Sequence, residues 1–211
     1  MYIKRFIFNT LQVNTYILYD DTHQCVIIDP GCSNKDEQTK LHDFIKVNKL
    51  IPAKLLNTHC HLDHIIGNYF VYKNFNLKPQ FHKFEIMTYN MSNQKAFEIN
   101  LPYKECSSLG IHLNDNDIVT YGNSSVKVIH NPGHSKGSIS FYSEKYKFVI
   151  SGDLIFKNSI GRTDLPGGNY KDIINSIKNS LFKLDDITVI YPGHNDYTSI
   201  GYEKANNIFL M

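Results

Sequence analysis

Four side chains that commonly bind metal ions lie within six residues of one another. They are His59, His61, Asp63 and His64, in the stretch Asn57-Thr58-His59-Cys60-His61-Leu62-Asp63-His64. Neutral imidazole and carboxylate groups are ligands that zinc and other borderline divalent metals take. These residue types at this spacing predict a metal site rather than a polar surface loop. Cys60 lies between two of these residues, and we interpret it as a packed thiol.

Three further candidate ligands each follow a strand-like run and a glycine. They close the segments Pro132-Gly133-His134, Ser151-Gly152-Asp153 and Pro192-Gly193-His194. Glycine at these turns allows the backbone to approach a site closely. With the first cluster, the candidates number seven, which is what two metal ions need if one carboxylate and one water or hydroxide bridge them. His82 is a further candidate ligand, but it stands alone in the sequence.

The candidate ligands follow the ends of predicted strands. β-branched and aromatic runs predict strands at 2–3, 6–8, 13–19, 25–29, 54–57, 79–82, 117–120, 125–130, 139–142, 147–150 and 187–191. Helical spacing of apolar residues predicts helices near 36–48, 62–70 and 172–181, with a last helix opening near 198–203. Residues 88–110 predict a loop or short helices. Strand ends hold loop side chains rigidly, so functional sites collect there.

Asp29 ends one of these predicted strands, directly before Pro30-Gly31. A carboxylate at this position could be functional or could form hydrogen bonds within the tight turn. We interpret Asp29 as a turn residue in preference to a functional one.

The composition is that of a folded domain. The chain has 211 residues, of which 42% are hydrophobic and 20% charged, so we expect one domain over residues 1–211 with a substantial core. A formal net charge of +2 gives no support to a nucleic-acid-binding surface. Ten histidines are many for this length and agree with a metal site.

Cysteine usage and hydropathy bear on where in the cell the protein is located. The four cysteines include no Cys-x-x-Cys pair, and a chain of this length does not need disulfides, so we expect reduced thiols. Residues 1–6 lack the features of a signal peptide. No window approaches the run of about 18 apolar residues that a membrane span needs. We therefore expect a soluble, cytoplasmic protein.

These motifs together resemble those of a known family. Thr58-His59-x-His61-x-Asp63-His64, with the three glycine-led segments, resembles the motif series of the metallo-β-lactamase superfamily over nearly the whole chain. Within that superfamily, Gly152-Asp153-Leu154-Ile155-Phe156 and Gly161-Arg162-Thr163-Asp164-Leu165-Pro166-Gly167-Gly168 resemble the short, single-domain glyoxalase II-like hydrolases. The resemblance implies an α/β (α+β) fold of four αββα layers, in which two mixed sheets face each other and helices lie outside.

The resemblance also implies how the ligands divide and what they do. His59, His61 and His134 would bind the first metal, Asp63, His64 and His194 the second, and Asp153 would bridge them. We expect two divalent ions, with zinc as the first choice and iron or manganese as alternatives. A bridging water, present as hydroxide near neutral pH, would attack the thioester of a hydroxyacylglutathione such as S-lactoylglutathione. Asp63 would be catalytic by holding the proton of the nucleophile.

The resemblance places Arg162 near the substrate. A guanidinium suits a carboxylate of glutathione, so the implied partner is a small-molecule glutathione thioester. The alternative is that Arg162 braces its loop through an ion pair with Asp164.

Other interpretations stay open. Thr58-His59-Cys60-His61 and Gly161-Arg162-Thr163-Asp164 also resemble the persulfide dioxygenases, in which His59, His134 and Asp153 would bind a single iron. The complete second ligand set favours the dinuclear hydrolase. Full-length glyoxalase II carries a further helical domain that contributes to its glutathione site, and we interpret this chain as complete without one. A non-catalytic scaffold would be marked by a missing ligand, and secreted lactamases and RNA-processing members fit the sequence less well.

Overall fold

Two mixed β-sheets pack face to face and carry helices on their outer faces. The computed structural model describes residues 1–98, 101–106 and 108–211. The first sheet contains, in spatial order, β1 (Tyr2–Phe8), β2 (Val13–Tyr19), β3 (Gln24–Ile28), β4 (Ile51–Leu56) and β5 (Pro79–Gln80). The second contains, in spatial order, β6 (Ile118–Tyr121), β7 (Ser124–His130), β8 (Ile139–Ser143), β9 (Phe148–Gly152), β12 (Val189–Pro192) and β13 (Thr198–Ser199). Between β9 and β12 along the chain, β10 (Ile155–Phe156) and β11 (Ser159–Ile160) form a separate hairpin.

Helices connect these strands. They are α1 (Lys35–Val47), α2 (Leu62–Ile65), α3 (Asn68–Phe75), α4 (Ile86–Glu98), α5 (Tyr170–Asn179) and α6 (Ile200–Asn206), with short 3-10 helices at Lys83–Glu85 and Leu181–Lys183. Asn34 caps α1, because its side chain accepts a hydrogen bond from the Glu37 N–H. The helix predicted near 36–48 is therefore confirmed. In the part of the chain that the structure describes, no helix has both the length and the hydropathy to cross a membrane.

Side-chain alternation along β2 places apolar residues on both faces of the first sheet. Tyr16 and Leu18 point into the layer between the sheets, whereas Val13 and Ile17 pack on the outer side under α1 and α3. Successive side chains of a strand lie on opposite faces, so a strand that is apolar at most positions is buried on both. Each fully buried Leu or Ile contributes roughly 1.5–3 kcal/mol to folding.

The second sheet is covered in the same way. Val149 of β9 and Ile190 of β12 pack against Ile173 and Ile177 of α5 on its outer face. The layers therefore run helices, sheet, sheet, helices, and the predicted αββα architecture is confirmed.

The segment after the first ligand cluster differs from the single helix predicted at 62–70. The structure has α2 and α3 with a break at Gly67. A Cβ at this position would collide with Cys32 Sγ and with the carbonyl of Pro30. The helix is interrupted because the loop that follows β3 passes directly beside it.

The structure refines the prediction of a loop or short helices over residues 88–110. Much of that region belongs to α4, a helix of 13 residues, while residues 99, 100 and 107 lie outside the described part. The buried side chains of α4 are Tyr89, Ser92 and Ala96, and Tyr89 stacks on Phe81 with ring centroids 5.3 Å apart. Short helices depend on tertiary packing more than on propensity, which explains why the sequence pattern was weak.

Two parallel strand pairs determine where the loops meet. β3 pairs with β4 in the first sheet, and β9 pairs with β12 in the second. Parallel neighbours end at the same edge of a sheet. The carboxyl ends of all four strands are therefore available to build one site between the two sheets.

Candidate metal centre

The seven histidine and aspartate residues predicted from the sequence meet at this edge. The stretch 59–64 follows β4, His134 follows β7, Asp153 follows β9 and His194 follows β12. Three overlapping groups have donor atoms that all lie within 4.8 Å of one another: His59, His61 and His134; His59, His64 and Asp153; Asp63, His64 and His194. Every predicted ligand belongs to at least one of these groups.

Asp153 lies between the two outer groups. Its Oδ1 is 3.4 Å from His64 Nε2, and its Oδ2 is 3.5 Å from His194 Nε2. The same Oδ2 is 3.7 Å from His134 Nε2. One carboxylate thus contacts histidines of both groups, which is the geometry that a bridging ligand requires.

Unpaired polar atoms face the middle of the cluster. Among the described residues, the buried side-chain atoms without a hydrogen-bond partner include His59 Nε2, His64 Nε2 and Asp153 Oδ1. Leaving such an atom unsatisfied costs about 1–3 kcal/mol. In addition, His61 Nδ1 approaches His134 Nε2 to 2.8 Å, a distance at which two ring lone pairs need a proton or a cation between them. The residues present therefore fit bound divalent cations.

The outer ring nitrogen of three histidines is held by a hydrogen bond. The partners are Asp29 Oδ2 for His64 Nδ1 (3.0 Å), the Arg162 carbonyl for His134 Nδ1 (2.8 Å) and the Leu11 carbonyl for His194 Nδ1 (3.0 Å). Metal-binding histidines usually donate the second ring N–H to a carboxylate or carbonyl, which fixes the tautomer. Here that arrangement leaves the inner Nε2 atoms facing the cluster.

Asp29 anchors the first ligand loop from the neighbouring strand. Its carboxylate accepts hydrogen bonds from the Thr58 N–H (2.7 Å) and from the Thr58 hydroxyl (2.6 Å). The same hydroxyl lies 3.1 Å from His59 Nδ1, from which it accepts a hydrogen bond. The interpretation of Asp29 as a turn residue is therefore wrong. Asp29 orients His59 and His64, and the cue in the sequence was a carboxylate directly after the buried residues 25–28 of β3.

Glu85 joins the first ligand loop to the loop that follows His134. Its Oε2 accepts a hydrogen bond from the Cys60 N–H (2.8 Å). Its Oε1 accepts from the Gly137 N–H (2.8 Å) and from the Ser135 hydroxyl (2.6 Å). Glu85 is fully buried, so no solvent competes for these bonds. No motif in the sequence pointed to this residue.

The His194 loop is held by the opposite sheet. The Asn14 N–H on β2 donates to the Gly193 carbonyl (2.6 Å), while the Asn14 side chain (2.9 Å) and the Tyr16 hydroxyl (2.7 Å) donate to the Pro192 carbonyl. Both side chains are buried. A ligand carried by the second sheet is thus fixed by the first.

Gly193 lies against the ligands themselves. A Cβ there would collide with Asp153 Oδ1 and would lie 2.7 Å from His64 Cε1. Its N–H donates to the Gly152 carbonyl (2.8 Å), and Gly152 has a φ of 52° that favours glycine. The predicted close approach of the backbone is confirmed at these two glycines.

The ligands shift one another's pKa values. Burial favours the neutral form of Asp153, but His64, His134 and His194 together outweigh burial and lower the Asp153 pKa. Burial also opposes charge on His64, yet Asp153 and Asp63 raise the His64 pKa well above its ordinary value. Burial lowers the pKa of His59 and brings that of His61 to about 4. Near neutral pH the carboxylate of Asp153 is ionised and both of these imidazoles are neutral, which are the metal-binding forms.

Arg162 forms the ion pair that the sequence offered as an alternative role. Its Nε and one terminal nitrogen each lie 2.7 Å from a carboxylate oxygen of Asp164. The Arg162 side chain is 61% exposed. Its contact with a substrate stays a prediction.

Two other residues singled out from the sequence, His82 and Cys60, belong to none of the ligand groups found among the described residues. The His82 ring stacks on His130 at 4.2 Å, and its Nδ1 accepts a hydrogen bond from the Phe84 N–H, so it is not brought to the ligand groups. Cys60 is fully buried in a cluster that includes Phe81. Burial raises the pKa of its thiol, and its interpretation as a packed residue is confirmed.

Proteins of similar sequence match nearly the whole chain. The family model described as Metallo-beta-lactamase superfamily matches residues 8–194. Probable metallo-hydrolase YqgX of Bacillus subtilis is 34% identical, over 95% of this chain and 93% of its own length. Hydroxyacylglutathione hydrolase GloC of Haemophilus influenzae is 33% identical, over 94% of this chain and 93% of its own length.

Solved structures share the fold. The B3 metallo-beta-lactamase BLEG-1 has a TM-score of 0.90 with 34% identity. TTHA1623 in a di-iron-bound form has a TM-score of 0.87 with 30% identity. Each of these two matches covers 100% of both chains. ETHE1 from Myxococcus xanthus has a TM-score of 0.80 with 25% identity, over 99% of this chain and 84% of that one.

Proposed function

The chain belongs to the metallo-beta-lactamase superfamily, and within it we propose a metal-dependent hydrolase of glutathione thioesters of the hydroxyacylglutathione type. The observation that carries this proposal is the convergence of seven histidine and aspartate side chains whose inner atoms are partly unpaired. The similarity to GloC over 94% of the chain supports the substrate class. Four buried, unbridged cysteines agree with a cytoplasmic location.

Each of the outer ligand groups holds one divalent cation in this proposal. His59, His61 and His134 form the first site, Asp63, His64 and His194 form the second, and Asp153 belongs to both. Zinc is the first candidate, and the di-iron form of TTHA1623 supports iron as the alternative. When bound, such cations lower the pKa of water and polarise a carbonyl oxygen.

Asp63 is the residue that holds a proton of the attacking water. Its Oδ2 lies 3.3 Å from His194 Nε2 and 3.6 Å from His64 Nε2. Burial opposes its ionisation, but His64 and a hydrogen bond from His194 lower its pKa, so it is a carboxylate near neutral pH. A carboxylate in that state accepts a proton from the water as the new C–O bond forms. The C–S bond then breaks, and the proton passes to the leaving thiolate to give an acid and a thiol.

Arg162 binds a carboxylate of the glutathione moiety in this proposal. The guanidinium is exposed, and the backbone of the loop that carries it contacts His134, so this loop lies beside the candidate centre. Binding a substrate carboxylate requires it to exchange its partner Asp164 for the ligand, which costs little because exposed ion pairs contribute roughly 0–1 kcal/mol.

The test is thiol release from S-lactoylglutathione by the purified, metal-loaded protein. We expect turnover in the wild type, loss of turnover in His194→Ala, and retention in His42→Ala, which alters a half-buried residue of α1 outside the ligand groups. Nitrocefin hydrolysis is measured in parallel, because the similarity to BLEG-1 makes a β-lactam the relevant competing substrate. Absence of thiol release from the loaded wild type would overturn the proposal.

A second candidate is a glutathione persulfide dioxygenase that uses a single iron on His59, His134 and Asp153. The similarity to the Myxococcus xanthus ETHE1 structure is compatible with it. The convergence of Asp63, His64 and His194 into a separate group supports the hydrolase instead, because this candidate leaves that group without a role. Oxygen uptake with glutathione persulfide distinguishes the two, since only the dioxygenase consumes oxygen.

A further inference from the structure

A groove opens beside the candidate centre, between α4 and the loop that carries Arg162. We call it the α4 groove; its volume is about 170 Å³. His61, one of the predicted metal ligands, contributes to its lining, and its walls include Met87 and Met91 from α4 and Leu165 and Pro166 from the loop. A group bound in the α4 groove would therefore extend directly from a molecule at the ligand cluster.

The α4 groove changes character along its length. The Ser92 hydroxyl lies 3.4 Å from the Cys60 carbonyl, which places the middle of α4 against the first ligand loop. Met91 lies beside this contact, whereas Lys95 and Glu98 are one and two turns further along the helix. These two residues form an ion pair of 3.3 Å, so among the described residues the far end of the groove is polar and these two charges are paired. Towards the centre the lining is mostly apolar, with the hydroxyl-bearing side chains of Thr88 and Ser92 beside the methionines.

Two methionines are left exposed on this wall. Met87 is 55% and Met91 44% exposed, and they lie four residues apart on one face of the helix. Apolar side chains that remain exposed together around a concavity typically mark a ligand site. The flexible, polarisable thioether of methionine adapts to apolar groups of different shape.

Size and polarity limit what the α4 groove can hold. An apolar cavity of about 150 Å³ accommodates a molecule the size of benzene, whereas sites for drug-sized ligands begin near 300 Å³. Glutathione is larger than this limit and carries charges that apolar walls do not stabilise. A lactoyl group is small and polar, and it would leave most of the methionine wall uncovered.

We propose that the α4 groove binds the apolar acyl chain of the thioester, so that this protein prefers acyl groups of about six carbons over lactoyl. This inference rests on the proposed thioester hydrolysis and names the acyl class. Each additional methylene that the groove buries strengthens binding, so acyl chain length is the variable to which the site responds.

Methionine methyl NMR tests binding without requiring catalysis. The chain has four methionines, Met1, Met87, Met91 and Met211, so methyl-labelled protein gives four signals that single substitutions assign. The probe is N-acetyl-S-hexylcysteamine, a thioether that cannot be hydrolysed, and the control is its S-methyl analogue. We expect saturable shifts of Met87 and Met91 with the hexyl probe only. Met1, which packs on the layer between the sheets, and Met211, which is 79% exposed, should not move.

Kinetics then tests selectivity. We expect kcat/KM to be at least tenfold higher for hexanoylglutathione than for S-lactoylglutathione, and we expect Met91→Gln to reduce that ratio about tenfold. Met211→Gln, which lies outside the α4 groove, should keep the wild-type ratio. Probe-induced shifts without any thioester turnover would refute the proposed function but would leave the binding of an apolar chain in the α4 groove intact. Turnover with no shift of Met87 or Met91, or with equal rates for both acyl groups, would overturn the groove proposal alone.

Discussion

Asp29 and His64 lie 3.0 Å apart, from Oδ2 to Nδ1, and both side chains are buried. The contact joins the end of β3 to α2. It fixes one ring nitrogen of His64, so that Nε2 faces Asp63 and Asp153. Asp29 belongs to none of the three ligand groups, yet it fixes the orientation of His64, a predicted ligand.

Asp29→Asn should weaken metal binding. Asparagine has nearly the same volume, but its NH₂ group replaces one acceptor oxygen with a donor. If the NH₂ group takes the place of Oδ1, it faces the Thr58 N–H; if it takes the place of Oδ2, it faces the Thr58 hydroxyl and His64 Nδ1. Loss of such an outer partner typically reduces metal affinity about 10–100-fold. Competition with a chromophoric chelator measures this, with Asp43→Asn on the exposed face of α1 as the control. An affinity within twofold of the wild type would show that Asp29 does not support the centre.

Glu85→Gln should loosen the connection between the two ligand loops. The Glu85 carboxylate accepts three hydrogen bonds at once. Glutamine keeps only one acceptor oxygen, and its NH₂ group faces a donor in place of the other. We expect the free energy of unfolding to fall by about 1–3 kcal/mol and metal affinity to fall with it. Urea unfolding and chelator competition provide the two readouts, and Glu144→Gln is the exposed control. Reduced stability with unchanged affinity would assign Glu85 to folding alone.

Gly193→Ala should damage the candidate centre while leaving the fold. The added methyl would meet Asp153 Oδ1 and His64 Cε1 rather than core residues. We expect at least a tenfold loss of metal affinity with a circular dichroism spectrum like that of the wild type. Gly201→Ala on α6 is the matched control, since the nearest atom to its Cβ is Asp186 Cβ at 3.0 Å. An alanine variant that binds metal normally would contradict the packing described for Gly193.

The convergence of the seven candidate ligands could be predicted from the sequence because local patterns encode them. Each follows an apolar strand and a turn, and turns and strands are readable over a few residues. The partners that orient the ligands could not, because they are distant in the chain. Glu85 and Ser135 are 50 residues apart, and Asp29 and His64 are 35 apart. The single-domain organisation of residues 1–211 stays a prediction.

The same reasoning explains the elements that the sequence misplaced. The sequence pattern predicts that the last helix opens at Thr198. In the structure Thr198 and Ser199 form β13 instead, because they pair with Ile190 and Val189 of β12. β1 is continuous across Lys4, where the sequence indicated two short strands, since pairing with β2 holds the polar residues extended. Pairing partners decide such short segments, and a local pattern does not contain them.

The cysteines should be unreactive in the folded protein. All four are buried, and burial raises the pKa of Cys25 and of Cys32 to about 12 and that of Cys106 to about 11. The thiolate is the reactive form and is populated only as the pH approaches the pKa, so at pH 8 almost no thiolate exists. We expect no alkylation by iodoacetamide under native conditions and four modified cysteines in urea, measured by mass spectrometry. Rapid native labelling would contradict the described packing.

Metal stoichiometry tests the central claim, that the seven residues form a two-metal centre. Metal content per chain is measured by elemental mass spectrometry after loading and desalting, for the wild type and for His194→Ala. Two ions in the wild type and one in the variant are the expected result, because His194 belongs only to the group with Asp63 and His64. A single ion in the wild type, unchanged in His194→Ala, would contradict the account.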